Sequence, residues 1–341
     1  MFDRTSPTPG PEFFRPPQLP APEMVDATPK GDAHGHRFSH SAMGGEFEVI
    51  IYDQSDDYAG QAAEAAFDEI DRIETELSRF LPDSDISQIN SSKPGEWVRV
   101  GAAALECLTI AKNLFYWSNR VFDVTVGDLV DAFKAEDAPV LSDESNQSTR
   151  PGMDWVEISE AYHAVALRGS GLQVDLGGIG KGYALDCVAQ LLAEWSIESA
   201  LLHAGHSTLL PIGSPPNGTV WSVGLRDPEH LDTHIGTVQL SGVALSGSGI
   251  QVKGRHIINP VTGVPAETKL GTWAVAESAA LSDALSTTLM ILSPDEIESL
   301  LAKDTDNQFG GMIMLAGDDG ESRELREFGG WSRFQAMPMD Q

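Results

Sequence analysis

Basic residues are scarce in this chain: 22 Lys and Arg stand against 51 Asp and Glu in 341 residues, a formal charge of −29. Nucleic acid and anionic membrane are thereby excluded as the main partner, since a polyanion is repelled over most of such a surface. The same balance sets a local condition, because an anionic substrate needs a metal ion or a few well-placed cations to be held. Cysteine is nearly absent. Cys107 and Cys187 are the only two, and both fall in helical patterns, which excludes a disulfide framework. No apolar run is long enough to span a bilayer, so membrane insertion is not expected. The start carries Arg4 but then Pro and Gly, with no apolar stretch and no cleavage site, so a cytoplasmic location is expected.

What remains is ordinary for a soluble globular protein, with 41% hydrophobic and 21% charged residues. Residues 1 to 37 are rich in Pro, Gly and Asp without a hydrophobic period and read as a disordered arm. His34, His36 and His40 are read as part of that solvated tract, since no Cys or carboxylate has metal-ligand spacing beside them. Residues 38 to 341 form the domain. Phe47–Tyr52 reads as a strand. Gln61–Leu77 and Ala102–Trp117 carry apolar residues at three-to-four spacing and read as helices. Residues 136 to 152 read as a polar loop. Strands at Ala164–Leu167, 200–202, 220–225, 235–240, 243–245, 273–276 and 311–315 are interleaved with helices at Tyr183–Trp195 and Ala279–Ile291. The alternation lacks the steady rhythm of a doubly wound sheet, so the fold class is α+β.

One segment invites chemistry. Val174-Asp175-Leu176-Gly177-Gly178-Ile179-Gly180-Lys181-Gly182-Tyr183 joins a predicted strand to a predicted helix. Glycines at such a junction admit a ligand close to the backbone, and a helix start offers unpaired N–H groups to phosphate. The P-loop pattern fails here, because Gly182 follows the lysine and Leu176 stands five residues before it. The dinucleotide pattern fails too, because Gly178, Gly180 and Gly182 have the wrong spacing. Taken alone, the turn is as readily a tight structural connection as a ligand site.

The segment resembles the D-L-G-G-I-A-K-G-Y motif of the ApbE family, the FAD:protein FMN transferases. Further stretches resemble that family in the same order. They are Met43-Gly44-Gly45, Ser78-Arg79-Phe80-Leu81-Pro82-Asp83-Ser84, Phe122-Asp123-Val124-Thr125-Val126-Gly127, the run Trp221 to Pro228, the run His256 to Gly263 and Ser282-Asp283-Ala284-Leu285-Ser286-Thr287. The resemblance implies an ApbE-like α+β fold with mixed or antiparallel sheets. It also implies a flavin pocket made by Met43, Phe80, Val121, Phe122, Asp123, Asp175, Lys181 and Ile257. Aromatic and apolar groups there suit ring systems, the two carboxylates suit ribose hydroxyls or base amines, and Lys181 suits a pyrophosphate. Plain core packing is the competing reading for Phe80 and Phe122.

Asp283 and Thr287 lie four apart on one predicted helix and so share a face. A carboxylate and a hydroxyl, completed by a backbone carbonyl and substrate phosphates, suit Mg²⁺. The resemblance implies the metal there, with the carbonyl of Gly178 as a further ligand and Ser286 as a neighbour. An Asp close to a helix start is otherwise a cap. The resemblance also makes His256 the general base. The implied reaction is transfer of FMN from FAD to a Thr or Ser hydroxyl of a partner flavoprotein, with release of AMP. Hydrolysis of FAD to FMN and AMP, or flavin binding without turnover, remain open. Two stretches depart from the family pattern: His203-Ala204-Gly205-His206-Ser207, where bare backbone is usual, and Ser246 to Lys253, which is short and lacks an aromatic residue.

Overall fold

The computed structural model describes residues 25–26, 35–134, 151–205, 207–216, 218–249, 257–317 and 322–335. Its centre is an eight-stranded sheet begun by a hairpin, β2 (His36–Ala42) and β3 (Gly45–Ile51). Met43 and Gly44 form the two-residue turn, both with positive φ (50° and 69°), the geometry that matches strand twist. β7 (Ser199–Ala204) pairs with β3, and β8 (Thr208–Gly213) folds back on β7. β11 (Ala244–Gly249), β12 (Gly271–Ala276), β13 (Gly310–Ala316) and β14 (Arg323–Gly329) complete the sheet in the order β14-β13-β12-β11-β8-β7-β3-β2. All strand pairs among the described residues are antiparallel.

Helices cover one face. α1 (Asp56–Leu77) is capped by Ser55 and buries Ala59, Ala62, Ala66, Ile70 and Ile73. α2 (Asp85–Ser91), α3 (Ala102–Trp117), α4 (Gly127–Lys134), α5 (Gly180–Glu194), α6 (Ala279–Ile291) and α7 (Pro294–Leu301) follow in chain order. α1, α3 and α5 share the largest apolar cluster with the sheet, while α6 and α7 close a smaller one over β12 and β13. The opposite face carries a second sheet of β1 (Val25–Asp26), β9 (Trp221–Arg226) and β10 (His234–Leu240), packed through Trp221, Trp273 and Trp331. A third small sheet joins β4 (Val98–Arg99), β6 (Ala164–Leu167) and β5 (Val156–Ser159).

Several expectations need correction. The regular structure begins inside the stretch assigned to an arm, since Val25–Asp26 pairs with β9 and β2 starts at His36. His36 and His40 are therefore strand residues, bonded to α1 through Asp56 at 2.5 Å and Asp71 at 2.7 Å; His34 lies outside the described residues. α5 starts at Gly180, before Tyr183. Both thiols are free on helices, Cys107 buried and Cys187 half-buried, and burial raises both, Cys187 to about 11.

Candidate functional site

The turns β2–β3 and β7–β8 lie at the same end of neighbouring strands, tied by Gly205 N–H donating to the Glu46 carbonyl at 2.8 Å. The Gly247 N–H of β11 donates to the Ser207 carbonyl at 2.7 Å, which brings a third segment to that end. Helices α5 and α6 run beneath it. Between them opens a cavity of about 420 Å³.

Eleven of the twelve residues expected at the site line this one cavity. Met43 enters from the β2–β3 turn, Phe80 from the α1–α2 turn, and Val121, Phe122 and Asp123 from the segment before α4. Asp175, Gly178 and Lys181 come from the Gly-rich turn, Ile257 from the segment before β12, and Asp283 and Thr287 from α6. The twelfth, His256, lies outside the described residues, as does His206. Among the lining residues that sequence reasoning passed over are Ser207, Gly247 and Ser248. All three sit in the two stretches that depart from the family pattern, which was their signal.

The two aromatic candidates part company. Phe122 is buried, so core packing and cavity lining coincide there. Phe80 is 66% exposed, which removes the core reading: an aromatic ring held at a cavity rim has an unfilled face. Beneath it sits Arg79, whose side chain is only 6% exposed. Its guanidinium pairs bidentately with Asp131 of α4 at 2.6 and 2.8 Å, reaches Asp175 at 2.8 Å, and lies 4.6 Å from the Phe80 ring centroid. Asp131 first, with Asp175 adding, holds this guanidinium's proton more firmly than usual.

Both carboxylates expected to contact substrate have protein partners. Asp175 accepts from Gly177 N–H at 2.8 Å on one oxygen and meets Arg79 with the other. Asp123 accepts from the Thr125 N–H and hydroxyl at 2.9 and 2.7 Å. Both N–H bonds run to the residue two further on, the spacing of an Asx turn. They fix the walls of the cavity and leave less of each carboxylate for a ligand.

The glycines also divide by role. At Gly182 an added Cβ would run into the Ala279 carbonyl and the Ala280 backbone, so this glycine serves the crossing of α5 over α6. Gly178 faces Thr287 instead, whose Oγ1 would stand 3.4 Å from an added Cβ. Ser278 is the N-cap of α6, accepting from Leu281 N–H, so Asp283 is not a cap. Ser286 turns away to β11, its hydroxyl 2.8 Å from that of Ser248.

Polar atoms without adequate partners remain at the floor. Asp283 is buried, and among the described residues its carboxylate accepts only from the Gly182 N–H, at 3.3 Å, with no ion-pair partner beside it. The Thr287 hydroxyl and the Gly178 carbonyl have no bond among the described residues. Lys181, also buried, donates only to the Gly177 carbonyl at 3.4 Å and has no carboxylate partner there. A buried carboxylate without a counter-ion is costly unless a cation completes it. Carboxylate, hydroxyl and carbonyl oxygens are the donor set of a hard cation such as Mg²⁺. No group of three or more His, Cys, Asp or Glu that could hold a metal ion occurs among the described residues; the three oxygens at this floor would leave a cation's remaining positions to oxygens of a ligand.

The family model described as the ApbE family matches residues 43–310. The FAD:protein FMN transferase of Escherichia coli (strain K12) is 26% identical over 254 residues, covering 69% of this chain and 72% of that one. The crystal structure of the ApbE protein from Thermotoga maritima superposes with a TM-score of 0.76 at 25% identity, covering 89% of this chain and all of that one. The flavin transferase ApbE from Vibrio cholerae gives a TM-score of 0.75 at 21% identity, covering 89% and 99%, a likeness of fold.

Proposed function

The chain belongs to the ApbE family, and from that premise we propose that it is an FAD:protein FMN transferase, dependent on Mg²⁺, that joins FMN to a Thr or Ser hydroxyl of a partner flavoprotein and releases AMP. The observation that carries the reading is the unsatisfied floor: Asp283, Thr287 and the Gly178 carbonyl facing one cavity with Lys181 at its wall. These three oxygens would hold the metal, which supplies neutralisation of the charge that develops on a pyrophosphate as it is cleaved.

The chain's own residues do the rest. Lys181 places a point charge toward the pyrophosphate, in a protein that otherwise repels it. Met43, Val121, Phe122 and Ile257 exclude water and give the flavin or adenine an apolar bed, and Phe80 offers its open face to a ring. Asp123 and Asp175, already bonded to the protein, hold the walls and contribute their remaining lone pairs to hydroxyls or amines of the substrate. His256 is assigned as the base that takes the proton of the acceptor hydroxyl as its oxygen attacks the FMN-side phosphorus, AMP leaving with the bridging oxygen.

Incubation of the purified protein with FAD and Mg²⁺, with AMP and protein-bound FMN both measured, tests this. AMP and a covalent FMN adduct are expected together when a candidate acceptor is present. Chelation or Asp283→Ala is expected to lower the rate about 100-fold or more, the several kcal/mol that a catalytic metal supplies. AMP released equally without acceptor would instead make the chain an FAD pyrophosphatase. No AMP under any condition would sink both enzymatic readings.

A further inference from the structure

The turn after α1 holds a charged residue that the proposed chemistry does not use. Arg79 has a guanidinium side chain only 6% exposed, and it adds an ionic link among three pieces of chain that backbone and Asn90 hydrogen bonds already bring together: the α1–α2 turn, α4 through Asp131 and the Gly-rich turn through Asp175. It does not itself line the cavity. Its neighbours Phe80 and Asp175 do.

We propose that Arg79 is a positioning residue for FAD, holding the Phe80 ring at the cavity rim and fixing and neutralising Asp175 on the adjoining wall. The geometry needs an arginine. The flat guanidinium forks its two terminal nitrogens onto Asp131 and sets Nε 2.8 Å from Asp175 as an ion pair without an aligned hydrogen bond, while its carbon sits 4.6 Å from the ring centroid. A lysine ammonium cannot serve both carboxylates as a fork and lie along an aromatic face. Phe80 needs a support because it is 66% exposed, and an exposed ring without one samples several rotamers. Asp175 needs a counter-charge because it lines the cavity, and a bare carboxylate there opposes a pyrophosphate. Arg79 thus acts on FAD through the residues it holds.

The inference rests on the cavity being the FAD site, and its test separates the two ideas. FAD binding to the wild-type holoprotein with Mg²⁺ is followed by the shift of the flavin visible band and by fluorescence quenching, and kcat and KM are taken from AMP release. Wild-type protein that gives neither spectral change nor AMP would overturn the FAD reading, and this inference with it. With the wild type behaving as proposed, Arg79→Lys is expected to raise KM for FAD about tenfold, change kcat less than threefold and weaken the spectral shift. Phe80→Leu should reproduce part of the loss, and the double variant should fall short of the product of the single effects, since both act on one ring. Arg79→Met exposes Asp131 and Asp175 to each other; should it fail to fold, Arg79→Lys and Asp131→Asn, which loosens the guanidinium from the α4 side, carry the test. Wild-type KM and spectrum in Arg79→Lys, or strictly multiplicative effects with Phe80→Leu, would overturn the proposal while leaving the FAD site standing.

Discussion

At the scale of single residues, one sequence word hides opposite demands. Gly178, Gly180 and Gly182 look alike in the Gly-rich turn, but only the structure shows what each spares. An added Cβ at Gly180 would stand 3.3 Å from the Met43 methyl group, the movable end of a flexible side chain. At Gly182 it would meet backbone of α6, which cannot move without parting two helices. Gly180→Ala is therefore expected to hold stability or raise it by up to about 1 kcal/mol through helix propensity. Gly182→Ala is expected to cost roughly 1–3 kcal/mol, as overpacking does. Urea unfolding of the two variants checks both, and equal effects would refute the division. The same limit explains Phe80 and Ser286. Residue type identified a ring and a hydroxyl near the site, but not that the ring stands exposed or that the hydroxyl turns to Ser248.

At the scale of elements, the helices and strands with an apolar period were legible, and α3, β6 and α6 have the bounds their patterns predict. Those that escaped lack such a period for physical reasons. β14 is an exposed edge strand of alternating charge, and β8 contains Pro211, which argues against a strand. Pro211 is tolerated because β11 pairs with β8 only at Thr208 and Leu209, so its missing N–H has no neighbour on that side. α6 shows what local pattern cannot reveal at all. Its N-terminal N–H groups of Ala279 and Ala280 donate to Asp186 of α5 at 2.8 and 2.9 Å, and Lys269 donates to the Met290 and Leu292 carbonyls at the other end. A half-buried carboxylate and a buried lysine thus complement the dipole of the helix that carries Asp283 and Thr287. Burial raises Asp186 from the ordinary 3.8 to about 6. Between those values the folded state keeps a proton that the unfolded chain has lost, so this group's stabilisation is full below about pH 4 and is lost as pH rises to 6. Asp186→Asn should remove that fall, so the wild type loses stability relative to the variant between pH 4 and 6 and not above, as read by thermal unfolding across pH. A constant difference over the whole range would show that Asp186 does not titrate in this window.

At the scale of the whole molecule, the family was legible because its motifs recur in order, whereas the sheet was not, because its pairings span the chain. β3 and β7 are neighbours through Ile51 and Ala200, and no local pattern links residues so distant. Net charge belongs to this scale too. A protein of charge −29 repels FAD, an anion, at distances beyond the reach of Lys181, and inside the cavity, where Lys181 stands against Asp123, Asp175 and Asp283, the balance would turn only with Arg79 behind the wall and a cation on the floor. Salt acts on these two regimes unequally. The screening length is about 10 Å at 0.1 M, so added salt weakens the long-range repulsion while a buried ammonium keeps most of its short-range attraction. Association of FAD is accordingly expected to quicken as monovalent salt rises from about 10 to 200 mM, against the usual slowing for a steered anionic ligand. Stopped-flow flavin fluorescence at constant Mg²⁺ measures this directly. A rate that falls with salt would mean that the field at the cavity mouth is positive despite the charge of the whole, and that cations outside Lys181 and Arg79 govern entry.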